Sequence, residues 1–157
     1  MKSIFFYDTI IGKIAIIDNG NEITHMEIAE EKYSEDVKIY ETELIKEAVK
    51  QLLEYLEGRR TTFDLPLNPY GTEFQKKVWK ALCDIPYGET RSYKQVAEAI
   101  GNSKASRAVG MANNKNPIMI IIPCHRVVGS NGSLVGYAGG IDIKEKLLSI
   151  ERKALYK

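Results

Sequence analysis

Cysteine, histidine and arginine stand side by side at residues 124–126, directly after an apolar run, in the segment NPIMIIIPCHRVVGSNG. The thiolate is the nucleophilic form of cysteine, and an unperturbed thiol with a pKa of ~8.5 is only a few per cent ionised near neutrality. A neighbouring imidazole raises that fraction if a third group orients the ring and stabilises its charged form. Glu151 is a candidate for that group. It sits one turn beyond Leu147 and three residues beyond Leu148 in a C-terminal helical pattern, and a carboxylate beside an apolar face requires a partner. Adjacent residues on a regular strand point to opposite faces, so coupling Cys124 to His125 needs a turn or a bridging water. On these residues alone the alternatives stay open: Cys124 as an inert core thiol, Glu151 as a boundary residue reaching solvent.

The rest of the chain offers little competing chemistry. Cys83, in VWKALCDI, reads as a small core residue of a helix, and His25 reads as structural within an alternating strand. Two cysteines without CxxC spacing make neither a disulfide framework nor a zinc site, and Cys124 with His125 lacks further well-spaced ligands, so no metal is expected.

At 157 residues the chain is long enough for one full core or two small ones. Its longest apolar run, Ile118–Ile122, is far short of a membrane span, and the N-terminus alternates like a strand rather than a secretory segment. A cytoplasmic location is expected. The net charge of +1 hides an asymmetry: residues 1–69 carry 8 Lys and Arg against 14 Asp and Glu, and residues 70–157 carry 14 against 7. An acidic half joined to a basic half suggests two units, the second of which meets a polyanion.

The elements that must position the site follow from periodicity and punctuation. SIFFYD, GKIAIID and EITHMEIA read as strands, separated by Gly12 and the turn residues DNGN. From Thr42 to Glu57 an apolar stripe (Leu44, Ile45, Ala48, Val49, Leu52, Leu53, Leu56) marks a helix that Gly58 ends. GRRTTFDLPLNPYG reads as a linker, giving an N-terminal unit over 1–67 and a second over 68–157. In the second unit, TEFQ at 72–75 and SYKQ at 92–95 fit the capping box, and DIKE at 142–145 is a similar start signal. Helices are expected over 73–83, 93–100, 104–114 (started by Ser103) and 143–152. The second and third of these, broken at Gly101, form a helix-turn-helix pattern. The later helix is almost bare: Ala105, Ser106, Ala108, Gly110 and Ala112 surround one long group, Arg107, in its first half. Small side chains let a backbone approach another surface closely. Pro117 ends this helix. Residues 118–122 are expected as a strand buried on both faces, and Asn131-Gly132 as a hairpin turn.

IPCHRVVG, preceded by SYKQVAEAIGNSKASRAVGMANNKNP and followed by GYAGG and KEKLLSIE, resembles the O6-alkylguanine-DNA alkyltransferases, the methylated-DNA–protein-cysteine methyltransferases, over about Tyr70 to Glu151. The resemblance implies an α+β fold: a small three-stranded antiparallel sheet with a helix, followed by a catalytic unit containing a winged helix-turn-helix. It implies that Cys124 attacks the alkyl carbon on O6 of a damaged guanine, once per chain and without a cofactor. It implies that His125, through a water, takes the thiol proton while Glu151 holds the ring, and that Tyr93 supplies a proton or hydrogen bond to the departing guanine. The partner is double-stranded DNA carrying O6-alkylguanine, bound through the minor groove by a monomer, with no membrane. The base is unreachable in the duplex and must be flipped out. Arg107 takes its place in the stack and Tyr93 presses on the adjacent phosphate. Ser106, Ala108 and Gly110 lie along the groove. Carbonyls at Cys124 and Val127 accept from the guanine amine, Tyr137 and Ala138 line the base pocket, and Asn116 ties the recognition helix to the active-site strand. Ala138 stands where some members carry serine, which bears on substrate range. The structural zinc of some relatives is not expected. The alternative is a non-transferring lesion-binding protein of the alkyltransferase-like type, whose class replaces the cysteine that is present here. A cysteine hydrolase would need an oxyanion-hole loop and would turn over repeatedly, and a regulator would show strong sequence preference.

Overall fold

Alternation in the first 30 residues builds a sheet. In the computed structural model, which describes residues 1–134, 137 and 140–155, strands β1 (Lys2–Thr9), β2 (Gly12–Asp18) and β3 (Ile23–Ile28) pair antiparallel. Ile14 and Ile16 of β2 point to the main core, while Ala15 and Ile17 point to the other face, where Ile4, Phe6, Tyr33 and Val37 cover them. A fourth strand, β4 (Val37–Ile39), lies parallel to β1 and gives the order β3-β2-β1-β4. Three residues long and half exposed, it has no alternation long enough to read, so the sheet has four strands rather than the three expected.

Helix α1 (Glu43–Leu56) covers the core face. Thr42 caps it by accepting from the Ile45 amide at 3.0 Å and donates to Asp18 at 2.6 Å, which ties the helix start to β2. The buried stripe differs from the sequence reading at two positions. Leu53 is exposed, and Tyr55, which the stripe does not include, is fully buried. The expected linker is built into the fold. Gln51 clasps both backbone groups of Asp64, and Pro66 and Asn68 bond the backbone of Ile23 at the sheet edge.

The basic half begins with α2 (Glu73–Cys83), and α3 (Tyr93–Ala99) follows; both open with the expected capping box. Gly71 lies under Trp79, where a Cβ would come within 2.5 Å of the indole. The Trp79 indole N–H donates to the Ala112 carbonyl at 2.8 Å, joining α2 to α4 (Ser106–Asn114). No side chain caps α4, so Ser103 is not its start; Ala105 stands at that place. Cys83 is exposed rather than core, because it falls on the outer side of the last turn of α2. Short strands β5 (Arg91–Ser92) and β6 (Val127–Val128) pair in parallel, and α5 (Ile141–Leu155) closes the described chain. One apolar core spans both halves, from Ile14, Leu52 and Tyr55 to Trp79, Leu82 and Ile118.

The segment 118–122 is not a strand. Ile118 alone bridges to Met26 of β3, with the Met26 amide donating to the Pro117 carbonyl and the Met119 amide to the Met26 carbonyl, each at 2.9 Å. The chain then turns through Ile120, whose φ of 73° is a rare conformation for a β-branched residue. Asn116 holds the loop at both ends: its Oδ1 accepts from the Ile118 amide at 3.0 Å and its Nδ2 donates to the Ile122 carbonyl at 2.8 Å. The apolar run signals burial, which the structure shows, but burial does not specify the backbone path. The Asn131-Gly132 turn forms, with the Gly132 amide on the Gly129 carbonyl at 2.8 Å. Its far arm runs into residues outside those described, and so does Ala138.

Candidate active site

Cys124, His125 and Arg126 form a single 3-10 turn after Pro123, which removes the alternation of a strand and directs three adjacent side chains to three surroundings. All three are buried. His125 meets Glu151 of α5, with Nε2 and Oε2 2.6 Å apart. Arg126 donates through Nε to the other carboxylate oxygen at 2.9 Å, through Nη2 to Oε2 at 3.0 Å and through Nη1 to the Ile85 carbonyl at 2.8 Å. The Gly88 amide donates to Oε1 at 3.0 Å, and the Tyr55 hydroxyl of α1 to Oε2 at 2.6 Å. The carboxylate is thereby saturated. Burial would raise its pKa, but hydrogen bonds and charge from His125 and Arg126 outweigh that and hold it at about 2.

With Glu151 ionised, the neutral imidazole carries its proton on Nε2, facing the carboxylate. That leaves Nδ1 as the acceptor, buried and without a hydrogen-bond partner among the described residues. Burial pulls the His125 pKa down against the pull of Glu151, so the ring rests neutral and able to accept a proton. Burial pushes the Cys124 thiol up, opposed by Asn116, Tyr137 and the Lys144 ammonium. The resting pair is thiol and imidazole. Asn116, Tyr137 and Lys144 are the groups in place to stabilise a thiolate there.

A pocket of about 210 Å³ opens on Cys124, lined on the basic half by Asn113, Asn116, Met119 and Tyr137. The thiol, Asn116 and Tyr137 line this pocket together, and Val127 is not among the residues that line it. The Val127 carbonyl accepts from Lys144, and the Cys124 carbonyl accepts from Asn113 Nδ2 at 3.3 Å. Each carbonyl has a second lone pair for a ligand. Tyr93 is half-buried. Burial first, then the proximity of Cys124, raise its pKa and keep the phenol protonated. Its ring lies over Gly110 of α4, 3.7 Å from where a Cβ would stand, an ordinary van der Waals distance. Arg107 and Ala108 are exposed on α4, Ser106 is half-buried, and Met111 adds an exposed apolar group to that face.

Sequence reading missed Tyr55, Arg126, Asn113, Lys144 and Met119. Arg126 and Lys144 lie inside the quoted motifs but carry no periodic signal of burial. Tyr55 lies 96 residues from the carboxylate it bonds, a separation that only folding closes. Among the described residues no group of His, Cys, Asp and Glu is arranged to hold a metal ion.

Residues 5–69 match the model of the 6-O-methylguanine DNA methyltransferase, ribonuclease-like domain, and residues 73–153 that of the 6-O-methylguanine DNA methyltransferase, DNA binding domain. The methylated-DNA–protein-cysteine methyltransferase of Methanosarcina barkeri is 51% identical over 156 residues, 96% of this chain and 99% of that protein. The constitutive methylated-DNA–protein-cysteine methyltransferase of Bacillus subtilis is 46% identical over 152 residues, 92% of each. Among solved structures, the Mycobacterium tuberculosis OGT in complex with DNA is similar with a TM-score of 0.91 at 43% identity, covering 97% of this chain and 94% of that one.

Proposed function

Because the chain belongs to the 6-O-methylguanine DNA methyltransferase family, we propose that it repairs alkylated DNA by direct reversal, with Cys124 as the acceptor of the alkyl group. The observation that carries this reading is the thiol of Cys124 in the pocket wall, with a base and its carboxylate packed behind it. The thiol proton passes to His125 Nδ1, through a bridging water where the two do not touch. The sulfur–carbon bond forms as the carbon–O6 bond breaks, and guanine leaves with its electron pair, taking a proton from Tyr93. His125 becomes an imidazolium stabilised by Glu151, and the product thioether has no exchange route back to a thiol.

The base reaches this pocket only when rotated out of the duplex. The exposed part of α4 supports entry through the minor groove: Ala108 and the half-buried Gly110 let its backbone approach, and Arg107 reaches out to fill the gap in the stack. Tyr93 joins the two events, since its ring rests on α4 and its hydroxyl serves the base. The chain acts as a monomer, and among the described residues no helix is long and apolar enough to cross a membrane.

Incubation with an excess of duplex carrying O6-methylguanine tests this reading. Restored guanine is expected to plateau at one equivalent per chain. Continued turnover, or none, would contradict it.

A further inference from the structure

Helix α4 turns Val109, Ala112 and Asn113 into the protein, and the last of these is polar. Asn113 is only 1% exposed, yet its carboxamide is half used. Nδ2 donates to the Cys124 carbonyl at 3.3 Å, while Oδ1 has no hydrogen-bond partner among the described residues. That orientation is fixed, because a flipped amide would set oxygen against oxygen. A buried acceptor without a partner calls for a donor on whatever fills the space it faces.

That space is the pocket on Cys124, which Asn113 lines. The other polar groups of this wall have work elsewhere. Asn116 has both ends of its amide on the loop at 118–122, and Tyr137 acts on the Cys124 thiol. The Val127 carbonyl already accepts from Lys144, and Val127 does not line the pocket. The Cys124 carbonyl and Asn113 Oδ1 are left as neighbouring acceptors, since Nδ2 of the same carboxamide bonds that carbonyl. Two adjacent acceptors match one amine with two hydrogens.

We propose that Asn113 selects the base: its Oδ1 accepts one hydrogen of the guanine 2-amino group while the Cys124 carbonyl accepts the other. This rests on the alkyltransferase reading, and it gives Asn113 the part that the family resemblance assigns to the Val127 carbonyl. Once O6 is alkylated, N1 of guanine carries no hydrogen, so the 2-amino group is the donor left on the pairing edge. O6-methylhypoxanthine and O4-methylthymine lack that amine. Either would leave Oδ1 buried and unpaired, and a site built to bond a donor rejects the analogue without it. The amine is remote from the carbon that Cys124 attacks, so the selection acts on the base rather than on the alkyl group. Asn113 and Arg107 belong to one helix, so the element that enters the groove also reads the base that leaves it.

The test sets two duplexes in competition for the full chain in one reaction, one carrying O6-methylguanine and one O6-methylhypoxanthine at the same site. Restored guanine and restored hypoxanthine are counted before the chain is exhausted. Their ratio does not depend on the fraction of active chain, so a variant that folds poorly still reports it. The native chain is expected to prefer O6-methylguanine by about tenfold or more. In Asn113→Ala and in Asn113→Leu that preference is expected to fall by at least about fivefold. A purely structural role for Asn113 would slow both substrates alike and leave the ratio unmoved. A native preference under about twofold, or one that stays within about twofold of native in both variants, overturns the inference. Failure of the native chain to take a methyl group from either duplex contradicts the alkyltransferase reading instead.

Discussion

Glu151 gathers side chains from two other segments and a backbone amide from a third onto one carboxylate, and its loss has a defined cost. Glu151→Gln leaves Arg126 buried without a counter-ion, so a loss of about 3–5 kcal/mol is expected from the shift in urea midpoint; an unshifted midpoint would contradict the network. Tyr55 acts through Glu151 and is a positioning residue. Tyr55→Phe removes a hydrogen bond to a charged acceptor, worth about 1.5–3 kcal/mol. It also leaves the carboxylate better able to stabilise the imidazolium, so the acid limb of the transfer rate should move to higher pH. A limb that stays in place while Tm falls would show a purely structural role. Of this network, Cys124, His125 and Glu151 were legible in the sequence, because a reactive pair after an apolar run and a carboxylate on an apolar face are local anomalies. Tyr55 and Asn113 were not, since a tyrosine among leucines and an asparagine near a helix end look ordinary until the fold brings them to the site.

The elements divide the work between delivery and reaction. Helix α4 presents Arg107 and Ala108 outward and packs Val109 and Ala112 inward, so its two faces can be changed separately. Ala108→Leu is expected to leave stability within about 0.5 kcal/mol, as for an exposed site, while weakening duplex affinity. Unchanged affinity would exclude this face from the DNA contact. Arg107→Ala should slow repair in duplex far more than reaction with free O6-benzylguanine, and equal losses would remove its role in the stack. Helix starts were legible where a cap stands in the sequence, at Thr42, Thr72 and Ser92, because the cap is a local hydrogen bond. The backbone of 118–122 was not. Its path depends on Asn116 bonding both ends of the loop and on β3 pairing with Ile118, and neither leaves a mark on the apolar run itself.

Over the whole molecule the acidic and basic halves share one core, and the acidic half supplies both Tyr55 on the Glu151 carboxylate and Met26 and Ile28 in the wall of the Cys124 pocket. The charge asymmetry is legible in the sequence and places DNA on the basic half, so duplex affinity should fall steeply as salt rises. That the acidic half reaches into the site follows only from contacts between residues far apart in the chain. Stability should also fall as the solution is acidified. His125 stays neutral in the folded chain, whereas the unfolded chain takes up that proton near its ordinary pKa of 6.5, so folding free energy declines below that pH. Glu151 adds a second loss between its ordinary 4.5 and its folded value of about 2. A urea midpoint constant from about pH 8 to about pH 4 would contradict this account of the buried pair. The central claim is chemical and is tested most directly by mass. After incubation with duplex DNA carrying O6-methylguanine, the intact chain should gain one methylene unit, located by peptide mapping on Cys124, and Cys124→Ser should bind the duplex and gain nothing. An unchanged mass with binding intact, or a methyl group on any other residue, would contradict it.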